Sequence, residues 1–310
     1  MNAVDGPAFR RDLYRGTALD YERFRVPYPG ELIADLVRRG GADPGGRALD
    51  LACGTGQIAF AVREFFDEVW AVDQEPDMIE VVREKAAGAA EVRALVASAE
   101  ELAVPDGAFD LVAIGNAFHR LPRHRIAERA HGWLRPGGRL ALLWSESPWR
   151  GALPWQRDLA EVVTRWTDRV GGRIPAGAEE ERRRVPDREV LEGAGFEVLG
   201  KFSFPASHTW TPEALVGNVF STSVLSRAAL GDRARDFEAD LRHALCPHAA
   251  LTETIDFAYE LGRRAAGRSD GRIVASLHRG VGGPGWTPRG ETAGQWGVTR
   301  SAVSDSRKSD

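Results

Sequence analysis

Residues 47–57, Arg-Ala-Leu-Asp-Leu-Ala-Cys-Gly-Thr-Gly-Gln, decide the fold. An apolar run carries an acidic residue and ends in a small-residue turn with glycines at 54 and 56. A helical pattern follows from Ile58 to Phe66. This is strand, tight turn, helix. Gly54 and Gly56 allow positive φ and close approach of the backbone to a ligand. The helix start then offers unpaired N–H groups to whatever sits on the turn. The segment predicts a nucleotide-type cofactor site.

Two readings compete for that cofactor. Gly54-x-Gly56-x-x-Ala59 fits the loose dinucleotide fingerprint, which on its own is a weak match. Asp50 argues against it, because a carboxylate near the turn repels a pyrophosphate. The same carboxylate is favourable beside a ligand carrying an ammonium and a sulfonium. Leu49-Asp-Leu-Ala-Cys-Gly-Thr-Gly56 closely resembles the first motif of class I S-adenosylmethionine (SAM)-dependent methyltransferases. A second match is Leu134-Arg-Pro-Gly-Gly138, a turn set between a helix and a strand. The matches together cover about residues 45–147.

The flanking segments repeat one plan. Glu68–Asp73 is a second short strand with an acidic end, which in a doubly wound sheet reaches ribose hydroxyls. Asp73 is that candidate; its alternative is an acid at the start of the helix that begins at Pro76-Asp77. Val92–Ser98 is the third strand, Asp110–Asn116 the fourth and Arg139–Ser145 the fifth. The resemblance assigns Ser98 and Ala99 to the adenine edge, Ala99 through its backbone. Ala52, Gln74 and Asn116 complete the expected cofactor set with Asp50, Gly54 and Gly56. Upstream, Tyr21-Glu-Arg-Phe-Arg25-Val-Pro-Tyr28-Pro resembles the family's N-terminal cap, which brings Tyr21 or Arg25 toward the SAM carboxylate. Plain helix packing by the same aromatics is the alternative.

The whole is expected to be a Rossmann-like α/β fold. Its seven-stranded, mostly parallel sheet has helices on both faces and an antiparallel final strand. Residues 1–40 form N-terminal cap helices. Residues 41–265 form the methyltransferase domain, with strands at Phe196–Phe204 and Thr252–Leu261. A helical lid insertion of about 205–250 lies between those strands, since inserts of this length often cover sites. Gly171–Arg184 suggests a solvated loop. Residues 266–310, rich in Gly, Ser, Arg, Thr and Pro, are expected to be a disordered tail.

Composition bounds the function. The 310 residues carry a formal charge of −4 with interspersed signs, so no basic footprint points to nucleic acid. No run approaches the ~18–20 apolar residues of a membrane span. Asp5, Gly6 and Pro7 interrupt any leader-like apolar region. Two cysteines, Cys53 and Cys246, make no disulfide framework, and a reducing cytoplasm is expected.

His119 follows strand four, at the sheet edge where ligands bind. It is the general-base candidate for methyl transfer, with shaping of the pocket as the alternative. His208 and His243 are weaker options. Trp144, Trp149 and Trp155 are candidate walls for an acceptor. No Asn-Pro-Pro-Tyr-type segment, Pro-Cys or Asp/Asn/His cluster follows strand four. This disfavours adenine- and glutamine-amide-modifying, pyrimidine C5 and metal-assisted subclasses, and no metal is expected. The expectation is a SAM-dependent enzyme methylating an O, N or C nucleophile of a small molecule. The insertion and an Ala-, Arg- and Gly-rich composition suggest a natural-product intermediate. The alternatives are another SAM-dependent reaction on the same fold, or an NAD(P)-dependent oxidoreductase.

Overall fold

The computed structural model describes residues 14–41, 45–172 and 178–266. The tail expected beyond Ala266 lies outside these residues. Two helices, α1 (Ala18–Phe24) and α2 (Gly30–Gly40), precede the sheet. Alternation of strand and helix then runs β1 (Arg47–Leu51), α3 (Gln57–Val62), β2 (Glu68–Asp73), α4 (Pro76–Ala86) and β3 (Val92–Val96). It continues β4 (Phe109–Gly115), α5 (Arg123–Trp133) and β5 (Leu134–Trp144). The Pro-Gly-Gly turn before Arg139 is an irregularity inside β5, where the register against β4 shifts. Next come α6 (Pro154–Arg169), α7 (Ala178–Arg184), α8 (Asp187–Gly193) and β6 (Phe196–Trp210). The chain closes with α9 (Pro212–Phe220), α10 (Arg227–Leu230), α11 (Ala234–Leu245) and β7 (Leu251–Arg264).

The seven strands lie in the order β3-β2-β1-β4-β5-β7-β6. β1 to β5 pair in parallel, and β7 runs antiparallel to both β5 and β6. This is the predicted fold class. The central strands are apolar on both faces because helices cover both. Leu111 and Ala113 of β4 join one core, with Leu32, Ile58 and Leu159 from the helices. Val112 and Ile114 join the other, with Ile126, Trp133 and Val190. The strand order reverses direction between β1 and β4. The crevice outside their carboxyl ends is therefore the expected ligand position.

Of the predicted boundaries that move, two change an element's extent or type most. β6 runs to Trp210, so the insertion spans 211–250 rather than 205–250. Pro205 does not end the strand because β6 is the sheet's edge, where a missing N–H costs no ladder bond. The second part of the expected loop Gly171–Arg184 is the helix α7.

The insertion is anchored at both ends of its span. Thr211 caps α9 by accepting from Ala214 N at 3.0 Å, the role its position before Pro212 predicts. Trp166 of α6 donates its indole N–H to Asp240 of α11 at 2.9 Å and meets Phe237 edge-on. α1 is tied to the insertion by Arg23–Glu213 at 2.8 Å and Arg227–Asp20 at 2.9 Å. Asn218 adds a bond to the Phe24 carbonyl at 3.3 Å. A methyl group on Gly217 would overlap the Phe24 ring, so the glycine sets how closely α9 approaches α1. The N-terminal cap and the insertion form one continuous roof.

Candidate active site

The β1 turn is built as its residues demand. Gly54 and Gly56 have φ of +55° and +81°, and Ala52 joins them at +54°. A side chain at Gly54 would press on the Tyr21 ring at 3.2 Å. Asp50 Oδ2 accepts from Ala59 N at 2.8 Å, capping the first turn of α3. Its Oδ1 is buried with no partner among the described residues. Burial pushes the Asp50 carboxyl up to about 7, and the Asp73 charge adds to the shift. At the end of β2, Asp73 accepts from Gly54 N at 2.8 Å and from Glu75 N at 2.9 Å. Burial raises its pKa too, against those hydrogen bonds.

Asn116, at the end of β4, sits at φ +50°, a backbone state that asparagine tolerates better than most residues. Its side chain accepts from Ser145 N at 3.0 Å, so the ends of β4 and β5 are locked together. Arg25 lies over the Tyr21 ring at 4.8 Å and donates to the Ser221 carbonyl at 3.3 Å. Its Nε is buried without an acceptor among the described residues.

These groups surround a cavity of about 1370 Å³, its open mouth included. Of the residues singled out in the sequence, Tyr21, Arg25, Ala52, Gly54, Asp73, Gln74, Ala99, Asn116 and His119 line it. Asp50 lines an adjoining compartment that shares Tyr21, Arg25, Ala52 and Asn116. Gly56 and Ser98 line neither. Gly56 is spent on the helix start, where its carbonyl accepts from Phe60 N at 2.9 Å. Ser98 is buried, and its carbonyl accepts from Glu101 N at 3.2 Å and Leu102 N at 3.0 Å, while Ala97 and Ala99 face the cavity on either side.

Of the three candidate tryptophans, Trp149 lines the cavity. Trp155 is in the core, and buried Trp144 lies under Arg182 at 3.6 Å. His208 packs on Trp210 at the sheet edge, 4.4 Å between ring centres, and His243 is on α11; neither lines the cavity.

His119 is at the cavity wall, among groups that disfavour its protonated form. Its Nε2 accepts from Arg120 Nε at 3.3 Å. Burial, then the charges of Arg120, Arg182, Arg123 and Arg150, depress its pKa to about 3. The ring is neutral at ordinary pH, with Nδ1 carrying the proton.

Several lining residues are absent from the sequence prediction: Arg120, Ser145, Glu146, Ser147, Thr222 and Ser223. The sheet-edge rule that picked Asn116 applies equally to Ser145–Ser147 after β5. Thr222 and Ser223 carry no local signal beyond lying in the insertion.

The comparisons agree with this geometry. Residues 49–142 match the methyltransferase domain family. An uncharacterized methyltransferase of Mycobacterium tuberculosis is 31% identical over 248 residues, covering 79% of this chain and 91% of that protein. An uncharacterized methyltransferase of Schizosaccharomyces pombe is 25% identical over 255 residues, covering 81% and 93%. The solved structure of a proposed type II methyltransferase from Anaeromyxobacter dehalogenans has the same fold. Its TM-score is 0.57 at 24% identity, covering 78% of this chain and 99% of that one. With its first motif on the β1 turn and a relative 31% identical over most of both chains, the chain belongs to the class I SAM-dependent methyltransferase family.

Proposed function

We propose that this enzyme transfers the methyl group of SAM to an O, N or C nucleophile of a small molecule enclosed under the roof. One observation carries the assignment of the donor site. Asp50 and Arg25 line one compartment, and each carries a buried side-chain atom with no hydrogen-bond partner among the described residues. An acid and a guanidinium in one place suit the ammonium and carboxylate of an amino-acid moiety. Asp73 would hold the ribose, and Ala97 and Ala99 would flank the adenine. When bound, SAM supplies an electrophilic methyl whose C–S electrons stay on sulfur as a nucleophile's lone pair takes the carbon.

The protein's own contribution is then enclosure and alignment. The roof covers part of the cavity, and the wall residues would hold the nucleophile in line. A natural-product acceptor is supported by the insertion, whose Thr222 and Ser223 line the cavity. A cytoplasmic setting is supported by two free cysteines.

Calorimetric titration tests the donor site. SAM and S-adenosylhomocysteine should bind and NADH should not. The reverse preference overturns the assignment. The same titration reads Asp50. Below about pH 7 its carboxyl is protonated in the empty site. A ligand ammonium favours the carboxylate, so binding should expel a proton. Affinity should rise with pH, by at most about tenfold per unit, and level off above 7. Buffers of differing ionisation enthalpy count the released proton. Binding with no proton release at pH 6 sinks this role for Asp50.

His119 is proposed to orient the acceptor as a neutral hydrogen-bonding group. His119→Gln should then keep turnover within about tenfold of the parent. A true base would lose roughly 10²–10⁴-fold. Loss on that scale, with a pH–rate inflection that disappears in the variant, would restore the base assignment.

A further inference from the structure

Arg120 lines the main cavity beside His119. Among the described residues its partners are all neutral: His119 Nε2 at 3.3 Å, Ser223 Oγ at 3.2 Å and the Tyr14 ring at 5.5 Å. The other three arginines whose charge reaches His119 each pair with a carboxylate. Arg123 bonds Asp187 at 2.5 Å, and Arg182 bonds the same residue. Arg150 lies 3.7 Å from both Glu146 and Glu180. Asp73, Glu75, Glu100 and Glu146 share the cavity with Arg120, yet none forms an ion pair with it among the described residues.

A half-buried guanidinium held only by neutral groups has lost hydration without gaining an anion. The methyl donor brings one carboxylate, and Arg25 is the residue assigned to it. The count leaves Arg120 for something else in the cavity. We propose that the methyl acceptor carries an anionic oxygen group, carboxylate or phosphate, and that Arg120 binds it. Arg120 presents a planar fork suited to two parallel bonds to either anion. Ser223 holds the fork from the insertion, with Thr222 beside it on the cavity wall. The inference rests on the reading of this cavity as a methyltransferase site.

The test separates a small-molecule extract of a bacterial culture by anion exchange before assay. An acceptor methylated on its own anion is therefore still scored. Each fraction is incubated with the intact enzyme and radiolabelled SAM. Acceptor activity should lie in the retained fractions. Arg120→Gln should lower kcat/KM on the active fraction roughly 10- to 100-fold, mainly through KM. SAM affinity by calorimetry should be unchanged, and Arg120→Lys should recover part of the loss. Phosphatase treatment that abolishes the activity identifies a phosphate; survival identifies a carboxylate.

Activity confined to the unretained fractions overturns the proposal and leaves the methyltransferase reading standing. So does an unaffected Arg120→Gln, or one that loses SAM binding instead. Failure of the parent enzyme to bind SAM, or to label any fraction, overturns both.

Discussion

Asp187→Ala should lower the unfolding free energy by about 3–5 kcal/mol, the cost of stranding buried charge. Asp187 is 2% exposed. It accepts from Arg123 at 2.5 Å and from Arg182, and both arginine side chains are only 10% exposed. Each guanidinium also covers a ring, Arg182 over Trp144 and Arg123 over Phe118. Removing the carboxylate takes from two desolvated cations the anion they share. Denaturant unfolding of the parent and variant measures the difference. Asp187→Asn, which keeps an acceptor but not the charge, should lose less. A loss under about 1 kcal/mol for the alanine variant would show that the arginines relax into solvent. The effect should reach the site as well, since the charges of both guanidiniums reach His119. Asp187 thus joins α7 and α8 to the wall of the cavity, although it is outside the cavity itself.

How legible these features are in the chain depends on how local their causes are. The β1 turn is local: an apolar run, an acid and two spaced glycines determine strand, turn and helix within eleven residues. Asp50, Asp73 and Asn116 follow, because each sits at the carboxyl end of a strand and the topology brings those ends together. Pro205 shows the limit. Whether a proline ends a strand depends on whether that strand is at the edge, and the edge is set by pairing with β7 some fifty residues later. The α7 helix has little apolar patterning. Its Arg182 is held by Asp187 and Trp144, partners no window of sequence contains together.

Arg120 shows the same limit at the site. Beside His119 in the chain it is an unremarkable charge. Its meaning comes from Tyr14 and Ser223, which arrive from the cap and the insertion. The base assignment for His119 fails to follow from position for a related reason. Position puts a histidine at the right edge, whereas basicity depends first on burial and then on arginines, of which Arg150 and Arg182 come from distant segments.

The second large effect concerns the cofactor itself. Asp73→Ala should weaken SAM binding by about 1.5–3 kcal/mol, the range for hydrogen bonds to a charged group. Asp73 already accepts from Gly54 N and Glu75 N, so it holds the glycine turn in place while leaving lone pairs for hydroxyl donors. A loss of affinity could therefore come from a missing ribose contact or from a disordered turn, and the choice of ligand separates the two. Adenosine carries the ribose without the amino-acid group. If Asp73 binds ribose, Asp73→Ala should weaken adenosine and SAM by similar factors. Asp50→Asn should weaken SAM and S-adenosylhomocysteine while sparing adenosine, because its partner is the ammonium. A turn that has collapsed in Asp73→Ala should instead also abolish the proton release assigned to Asp50, since Asp50 and the turn share the start of α3. A folded Asp73→Ala variant that binds both ligands as tightly as the parent removes the ribose assignment. The acid at the end of β2 would then serve only to hold Gly54 and the first turn of α4.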